Sequence, residues 1–311
     1  MRVARSVQEA AGFGPSAVTI GNFDGIHIGH QHLFREVAAA ARTHGAKPTV
    51  LTFDPHPACV VAPERAPRLL TTPEERIALM SQYGIEQVLL LPFTPQIAKL
   101  SPEEFVAEIV VKALGAKMVV VGENFRFGHR QAGDTRVLAE LGQRYGYETA
   151  IAGAVKCRGQ VVSSSAVRAL IDAGNVALAC RLLNRPYALE GEVVRGHGVG
   201  AKQTVPTLNI KTSAQVLPAR GVYITRTSGN WNSVTNIGFR PTFGGDDELS
   251  IETFLLDAFA GDAPRQIRVE FLKRLRDERK FESPEALKAQ ILRDVARAKS
   301  YFRLRHLGGG F

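Results

Sequence analysis

Short apolar runs alternate with helix-forming segments through the first half of the chain. Residues 18–20, 48–53, 87–91 and 117–121 read as buried strands, and 148–151 as a weaker one. Helix starts lie between them. Thr72-Pro73-Glu74-Glu75 and Ser101-Pro102-Glu103-Glu104 each put a hydroxyl at the N-cap, proline at the first helical position and glutamate at the third, where its carboxylate can reach back to the cap. Gly84 and Gly115 stand where those helices should stop, and an alanine-rich stretch after His30 predicts a longer helix running to Gly45. Strands alternating with helices predict an α/β, Rossmann-like domain with a parallel sheet, whose ligands bind at the carboxyl ends of the strands.

The period changes near Asn184-Arg185-Pro186-Tyr187. Beyond it, residues 266–272 set Ile267, Val269 and Phe271 against Arg268 and Glu270, and 221–227 and 249–256 are strand-like as well. Gly/Pro-rich turns between such strands predict a small closed β-barrel. One helix ends the domain: Ser283 caps it, Pro284 follows, and Leu287, Ile291 and Val295 form an apolar stripe at steps of four. The expected division is 1–185 and 186–311, with a disordered glycine tail at 308–310.

A length of 311 residues suits two domains, and 45% hydrophobic content suits a globular protein. No apolar run approaches the roughly 18–20 residues that span a bilayer, and the N-terminus does not read as a signal peptide. Cys59, Cys157 and Cys180 are scattered, odd in number and without CxxC spacing, which argues against a disulfide framework or a zinc site and for a reducing, cytoplasmic setting. The net charge of +9 favours anionic ligands. Its densest run, 265–280, is broken by Glu270, Asp277 and Glu278, unlike a nucleic-acid-binding arm. Neither nucleic acid nor membrane is therefore expected as a partner. Nucleotide phosphates are, and oligomeric assembly is left open.

Candidate chemistry concentrates in residues 18–30, where a strand runs through Gly21 and Asn22 to His27-Ile28-Gly29-His30 and a helix. A glycine-bearing loop and a helix N-terminus together favour phosphate, and the two imidazoles can donate to phosphate oxygens. A metal-binding pair and two incidental surface histidines remain alternative readings of HxxH. Gly122-Glu123-Asn124-Phe125-Arg126-Phe127-Gly128 follows another strand and offers aromatic rings beside a cation, or simply core packing. Ser163, Ser164, Ser165 and Arg168 open a helix as its cap or as triphosphate contacts. In the second half, Thr207 and Asn209 offer oxygen ligands to a hard cation, Gly196, Gly198 and Gly200 form a glycine-rich loop, and Glu252 interrupts an apolar strand.

Four of these segments in this order (GNFDGIHIGHQ, FDPHP, GENFRFG and SSSAVR) resemble the HxGH nucleotidyltransferase module of bacterial bifunctional riboflavin kinase/FAD synthetases. Residues 185–187, PTLN at 206–209, GVY at 221–223, NIGFRPTF at 236–243 and Ile251-Glu252 are similar to the kinase module of that family, so the resemblance spans nearly the whole chain. It implies ATP-dependent phosphorylation of riboflavin to FMN, then adenylylation of FMN to FAD, with Mg²⁺ accompanying ATP. It assigns His27 and His30 as catalytic for adenylylation and Glu252 as the kinase base. Gly21, Asn22, Gly29, Asn124, Ser163, Ser164 and Arg168 would bind ATP in one module, and Gly196 and Gly198 in the other. Phe53, His56, Phe125 and Arg126 would bind flavin, and Thr207 and Asn209 the metal. Departures from the family pattern are Ser165 for threonine, Thr204-Val205 and Leu208 within the PTxN segment, Ala201 for arginine, and Phe254 for histidine. The nearest alternative keeps the adenylyltransferase and weakens the kinase; a basic nucleic-acid-binding flavin sensor is a more distant one.

Overall fold

The computed structural model describes residues 1–194, 207–228, 231–241, 247–256 and 264–307, with the side chains of 239–241, 247, 248 and 305–307 left out. They form two compact units, Met1–Ser164 and Ser165–Phe311. Gly196, Gly198, Gly200, Ala201, Lys202, Thr204-Val205-Pro206, Thr242-Phe243 and the tail 308–310 lie outside the described residues.

The first unit holds six parallel strands: β1 (Arg2–Ala4), β2 (Ser16–Ile20), β3 (Lys47–Asp54), β4 (Gln87–Pro92), β5 (Ala116–Gly122) and β6 (Glu148–Ala152). Their spatial order is β1-β4-β3-β2-β5-β6. All five predicted strands are present; the short edge strand β1, three residues with no periodicity to read, was not anticipated. Alternate residues feed two cores. Val18, Leu51, Leu89 and Val119 face one, and Ala17, Val50, Val88 and Val120 the other. Helices α1 (Val7–Ala10) and α7 (Thr135–Tyr145) flank the first face; α2 (Ile28–Thr43) and α4 (Pro73–Gln82) cover the second. Shorter helices α3 (Ala58–Val61), α5 (Pro95–Lys99) and α6 (Pro102–Phe105) lie in the connections, and a two-stranded ribbon of β7 (Lys156–Cys157) and β8 (Gln160–Val161) follows β6. Both predicted capping boxes form, at Thr72 and Ser101. After α6 the chain continues as a π-helical segment, Val106–Ala113, and reaches Gly115 at φ +57°.

From β2 the chain builds outward through β3 and β4, then crosses to the other side of β2 to lay down β5 and β6. The direction of winding reverses between β2 and β5, which makes their carboxyl ends a topological switch point, the place where open α/β sheets bind ligands. The HIGH segment follows β2 and the ENFRF segment follows β5.

The second unit contains α8 (Ser164–Asp172, beginning at the last residue of the first unit), α9 (Val176–Leu183) and a closed antiparallel barrel. Its strands are β9 (Tyr187–Val194), β10 (Thr207–Lys211), β11 (Gly221–Thr227), β12 (Trp231–Pro241), β13 (Asp247–Leu255) and β14 (Gln266–Arg276), in the order β10-β13-β12-β11-β14-β9. The β9–β10 pairing closes the ring. The switch to antiparallel strands falls at Tyr187, as the sequence pattern indicates. Helices α8 and α9 nonetheless group with the barrel, because α9 packs on β14 and β9. Thr225, Thr227, Ser233, Thr235 and Thr253 are fully buried and linked by mutual hydroxyl bonds of 2.8–2.9 Å. Strand alternation therefore turns Val222, Val234, Asn236, Glu252 and Phe254 to the opposite face, where helix α10 (Pro284–Leu307) lies.

Candidate functional site

Loop 21–27 after β2 is held in an unusual backbone shape. Phe23 and Ile26 have φ of +50° and +40°, a region that bulky and β-branched residues avoid at a cost of about 1–3 kcal/mol each. Buried polar groups hold it there. The Asp24 carboxylate, 2% exposed, accepts the N–H of Leu70 (2.9 Å), the N–H of Thr71 (3.1 Å) and the Thr71 hydroxyl (3.2 Å). Thr71 Oγ1 in turn accepts the Gly25 N–H at 3.0 Å, and Gln31 Nε2 donates to Ile26 O at 2.9 Å. Ser164 Oγ donates to Asp24 O at 2.9 Å. The Arg76 guanidinium, on α4, donates to Asn22 O at 2.7 Å and to Phe53 O at 3.3 Å.

The loop delivers the two histidines stacked. Their ring centroids are 3.6 Å apart with planes at 21°, and the Phe23 ring meets His30 edge-on at 5.2 Å. His27 is the N-cap of α2: its Nδ1 accepts the His30 N–H at 3.4 Å. That bond places the proton of neutral His27 on Nε2, as a donor. A Cβ at position 29 would lie 3.1 Å from the His27 ring, so glycine is what the stacked imidazole tolerates there. His27 is buried and His30 half-buried, its Nδ1 enclosed with no hydrogen-bond partner among the described residues. Burial, and then the neighbouring His27, hold the His30 pKa well below 6.5. Burial thus favours neutral His30, while neutral His27 would present its Nε2 N–H at a helix start that favours anions.

The neighbouring strand ends supply the remaining residues. His56 follows β3; its Nδ1 accepts the Ala58 N–H at 3.2 Å, and its Nε2 lies 2.9 Å from the Asn22 amide nitrogen. Phe53 is buried edge-on to Phe93, with ring centroids 5.4 Å apart. Beyond β5, Asn124 and Arg126 are exposed, while the Phe125 ring stacks on buried Phe127 at 5.4 Å. Part of that segment is thus core packing. Gly21 packs against the Phe23 ring, and Ser163 is half-buried beside Ser164. Arg168, half-buried on α8, belongs to the second unit.

In the barrel, pairing registers create a polar row. Asn209 on β10 and Asn236 on β12 both lie directly opposite Glu252 on β13, and Thr207 lies opposite Phe254 in the adjacent row. Opposed residues share a sheet face with Cβ atoms about 5 Å apart. A cavity of about 300 Å³ opens on this face, lined by Asn236, Glu252, Phe254 and Val234 on the strands and by Leu287, Ile291 and Val295 on α10. The apolar stripe expected from the sequence is thus the cavity's helical wall. Beside it Arg276 pairs with Asp294 at 2.8 Å, and Gln290 donates to the same carboxylate at 2.8 Å. Ser250 Oγ donates to Glu252 Oε1 at 3.1 Å. Thr207, Asn209 and Glu252 offer oxygen donors alone, the set a hard divalent cation takes together with phosphate oxygens and water. Among the described residues no cluster of three or more His, Cys, Asp or Glu side chains is placed to hold a metal by itself.

Sequence reasoning gave no role to Asp24, Thr71, Arg76, Asn236 or the Arg276–Asp294 pair. Asp24 sits inside the loop motif and was visible as a charge. Asn236 opens the NIGFRPTF segment; Thr71, Arg76, Arg276 and Asp294 are joined to their partners by 18 or more residues of chain, and nothing local marks their roles.

Comparison with known proteins fits this arrangement. An FAD synthetase family model matches residues 11–166 and a riboflavin kinase family model residues 183–302. A bifunctional riboflavin kinase/FMN adenylyltransferase of Escherichia coli (strain K12) is 36% identical over 292 residues, covering 92% of this chain and 93% of that one. The protein of the same description from Pseudomonas fluorescens is 38% identical over 286 residues, covering 91% of each. A crystal structure of a Streptococcus pneumoniae protein described as a macrolide-efflux protein superposes with a TM-score of 0.85 at 30% identity, over 96% of this chain and 98% of that one. Among the described residues no helix is long and apolar enough to cross a membrane. The chain belongs to the bifunctional riboflavin kinase/FMN adenylyltransferase family.

Proposed function

We propose that this chain phosphorylates riboflavin to FMN in its barrel and adenylylates FMN to FAD at the carboxyl edge of its parallel sheet, using ATP in both steps. The observation that carries the reading is that one chain holds both arrangements. One is a stacked histidine pair capping a helix at a topological switch point; the other is a carboxylate flanked by oxygen donors beside an apolar cavity. We assign residues 1–185 to the first activity and 186–311 to the second.

In adenylyl transfer, an FMN phosphate oxygen attacks the α-phosphorus of ATP and pyrophosphate leaves. The transfer is direct, with no covalent nucleotidyl intermediate on the protein. His27 and His30 act as donors to the phosphate oxygens on which charge develops. Loop 21–27 and the N-terminus of α2 hold the phosphates with Asn22, Gly29, Ser163 and Ser164; Phe53, His56, Phe125 and Arg126 serve the flavin side.

In the barrel, the cavity under α10 takes the ring system. Its volume and largely apolar lining suit a flat aromatic body entering in part. Glu252 accepts the proton of the terminal ribityl hydroxyl as that oxygen attacks the γ-phosphorus, the bond to the β,γ-bridging oxygen breaks and ADP leaves. Thr207 and Asn209 would hold Mg²⁺, which neutralises phosphate charge when bound.

The test is product analysis by chromatography after the purified chain is incubated with riboflavin, ATP and Mg²⁺. FMN followed by FAD is the expected result. FAD from supplied FMN but none from riboflavin would confine the activity to the first site. No flavin nucleotide from either substrate would end the proposal.

A further inference from the structure

We infer that Arg76 is a positioning residue for adenylyl transfer, fixing from below the backbone that carries the nucleotide-binding loop. The inference rests on the activity proposed above for the first unit.

Arg76 heads the largest side chains that are fully buried, and it is charged. One guanidinium spans two strand ends: Nη1 donates to Asn22 O at 2.7 Å and to Thr52 Oγ1 at 3.4 Å, and Nη2 to Phe53 O at 3.3 Å. Thr52 Oγ1 also donates to Asn22 O at 3.2 Å, so that carbonyl is held from two directions. The loop after β2 carries Asn22, His27 and His30; the loop after β3 carries His56, which in turn bonds the Asn22 side chain. Arg76 therefore helps fix the spacing of the two loops that converge on the site, bridging both strand ends from α4 alongside the Thr52–Asn22 and Asn22–His56 bonds.

The charge argues against a role in packing alone. Burial lowers the Arg76 pKa, and only then do Asp24, Asp54 and Glu74 act to raise it. Its Nε is enclosed with no hydrogen-bond partner among the described residues. A methionine, like neighbouring Met80 in the same core, would fill similar space without that desolvation cost. What a methionine cannot do is donate to two carbonyls in a fixed plane while setting a permanent positive charge under a loop that receives phosphates.

The experiment compares full-length Arg76→Met, Arg76→Lys and Met80→Ala with the wild type. It measures kcat and KM for FAD formation from FMN, riboflavin phosphorylation as an internal check, and thermal stability. Misplacing reacting groups by about 1 Å costs on the order of 100-fold in rate. Arg76→Met should therefore lower kcat about 100-fold with KM for ATP within about threefold, and Arg76→Lys, which keeps charge but not the fork, about tenfold. Met80→Ala, which lowers stability without touching the loops, should keep kcat. An Arg76→Met enzyme with wild-type kcat overturns the inference, as does a Met80→Ala enzyme that loses as much kcat at matched stability. If Arg76→Met does not fold, wild-type kcat in Arg76→Lys overturns it. Failure of the wild type to make FAD from FMN would instead defeat the underlying functional reading, and the two failures are distinguishable.

Discussion

The two units build their sites by different means. In the parallel-sheet unit the backbone does most of the work: positive-φ residues, a histidine N-cap and a helix start are held by groups from 30 to 140 residues away in sequence. Gln31 is the local exception to that distance. In the barrel, side chains are placed by register, because antiparallel pairing sets Asn209 and Asn236 either side of Glu252. A loop-built site depends on remote buried polar groups. A register-built site depends on strand pairing and on whatever covers the face, here α10.

The largest effects should come from breaking one site and reading the other. His27→Ala removes both a donor and the cap of α2; FAD formation should fall by about 10²–10³-fold while FMN formation persists. Glu252→Gln keeps the row in place but removes the base, and FMN formation should fall by about 10²–10⁴-fold with FAD formation from supplied FMN unchanged. Parallel loss of both activities in either variant would mean the sites are not independent.

A smaller effect is expected from the support of the barrel cavity. The Asp294 side chain is 3% exposed and accepts from Arg276 and Gln290. Asp294→Ala leaves a partly buried guanidinium unpaired and should destabilise the barrel unit by about 2–3 kcal/mol in denaturant titrations. Because α10 forms one wall of the cavity, KM for riboflavin should rise as well. Unchanged KM would separate the ion pair from flavin binding. Phe254→Ala should act in the reverse proportion, removing apolar contact worth about 1–2 kcal/mol and raising KM for riboflavin about tenfold with little change in stability.

How much of this the sequence made legible follows from the same contrast. Strands β2 to β6 were readable because parallel strands are apolar on both faces, and the helix starts because capping is local chemistry. The barrel was readable where one face alternates, as in 266–272, and less so in β9 and β10, whose partners are set by closure of the ring. Motif residues such as His27, Gly29 and Glu252 announce themselves through unusual residue types. Arg76 and Asp294 do not: each sits in an ordinary amphipathic helix, and only tertiary packing turns its charge inward.

The finest test concerns protons. Burial, with His27 adding to it, keeps the His30 pKa well below 6.5 in the folded, unliganded unit. In the unfolded chain His30 is free to protonate near its ordinary value. Below about pH 6.5 the unfolded state therefore binds a proton that the folded state refuses, and stability must fall as pH falls through this window. One such proton gives a slope of at most about 1.4 kcal/mol per pH unit. Hydrogen exchange of β2 and α2 amides between about pH 7.5 and 5.5 should report that slope, after correction for the intrinsic exchange rate. His30→Gln should flatten it. Saturating ATP should also reduce it, since phosphate charge beside the ring favours the imidazolium in the folded state. If wild type and His30→Gln lose stability equally on acidification, some other group carries the dependence, and neutral His30 in the folded unit loses its support.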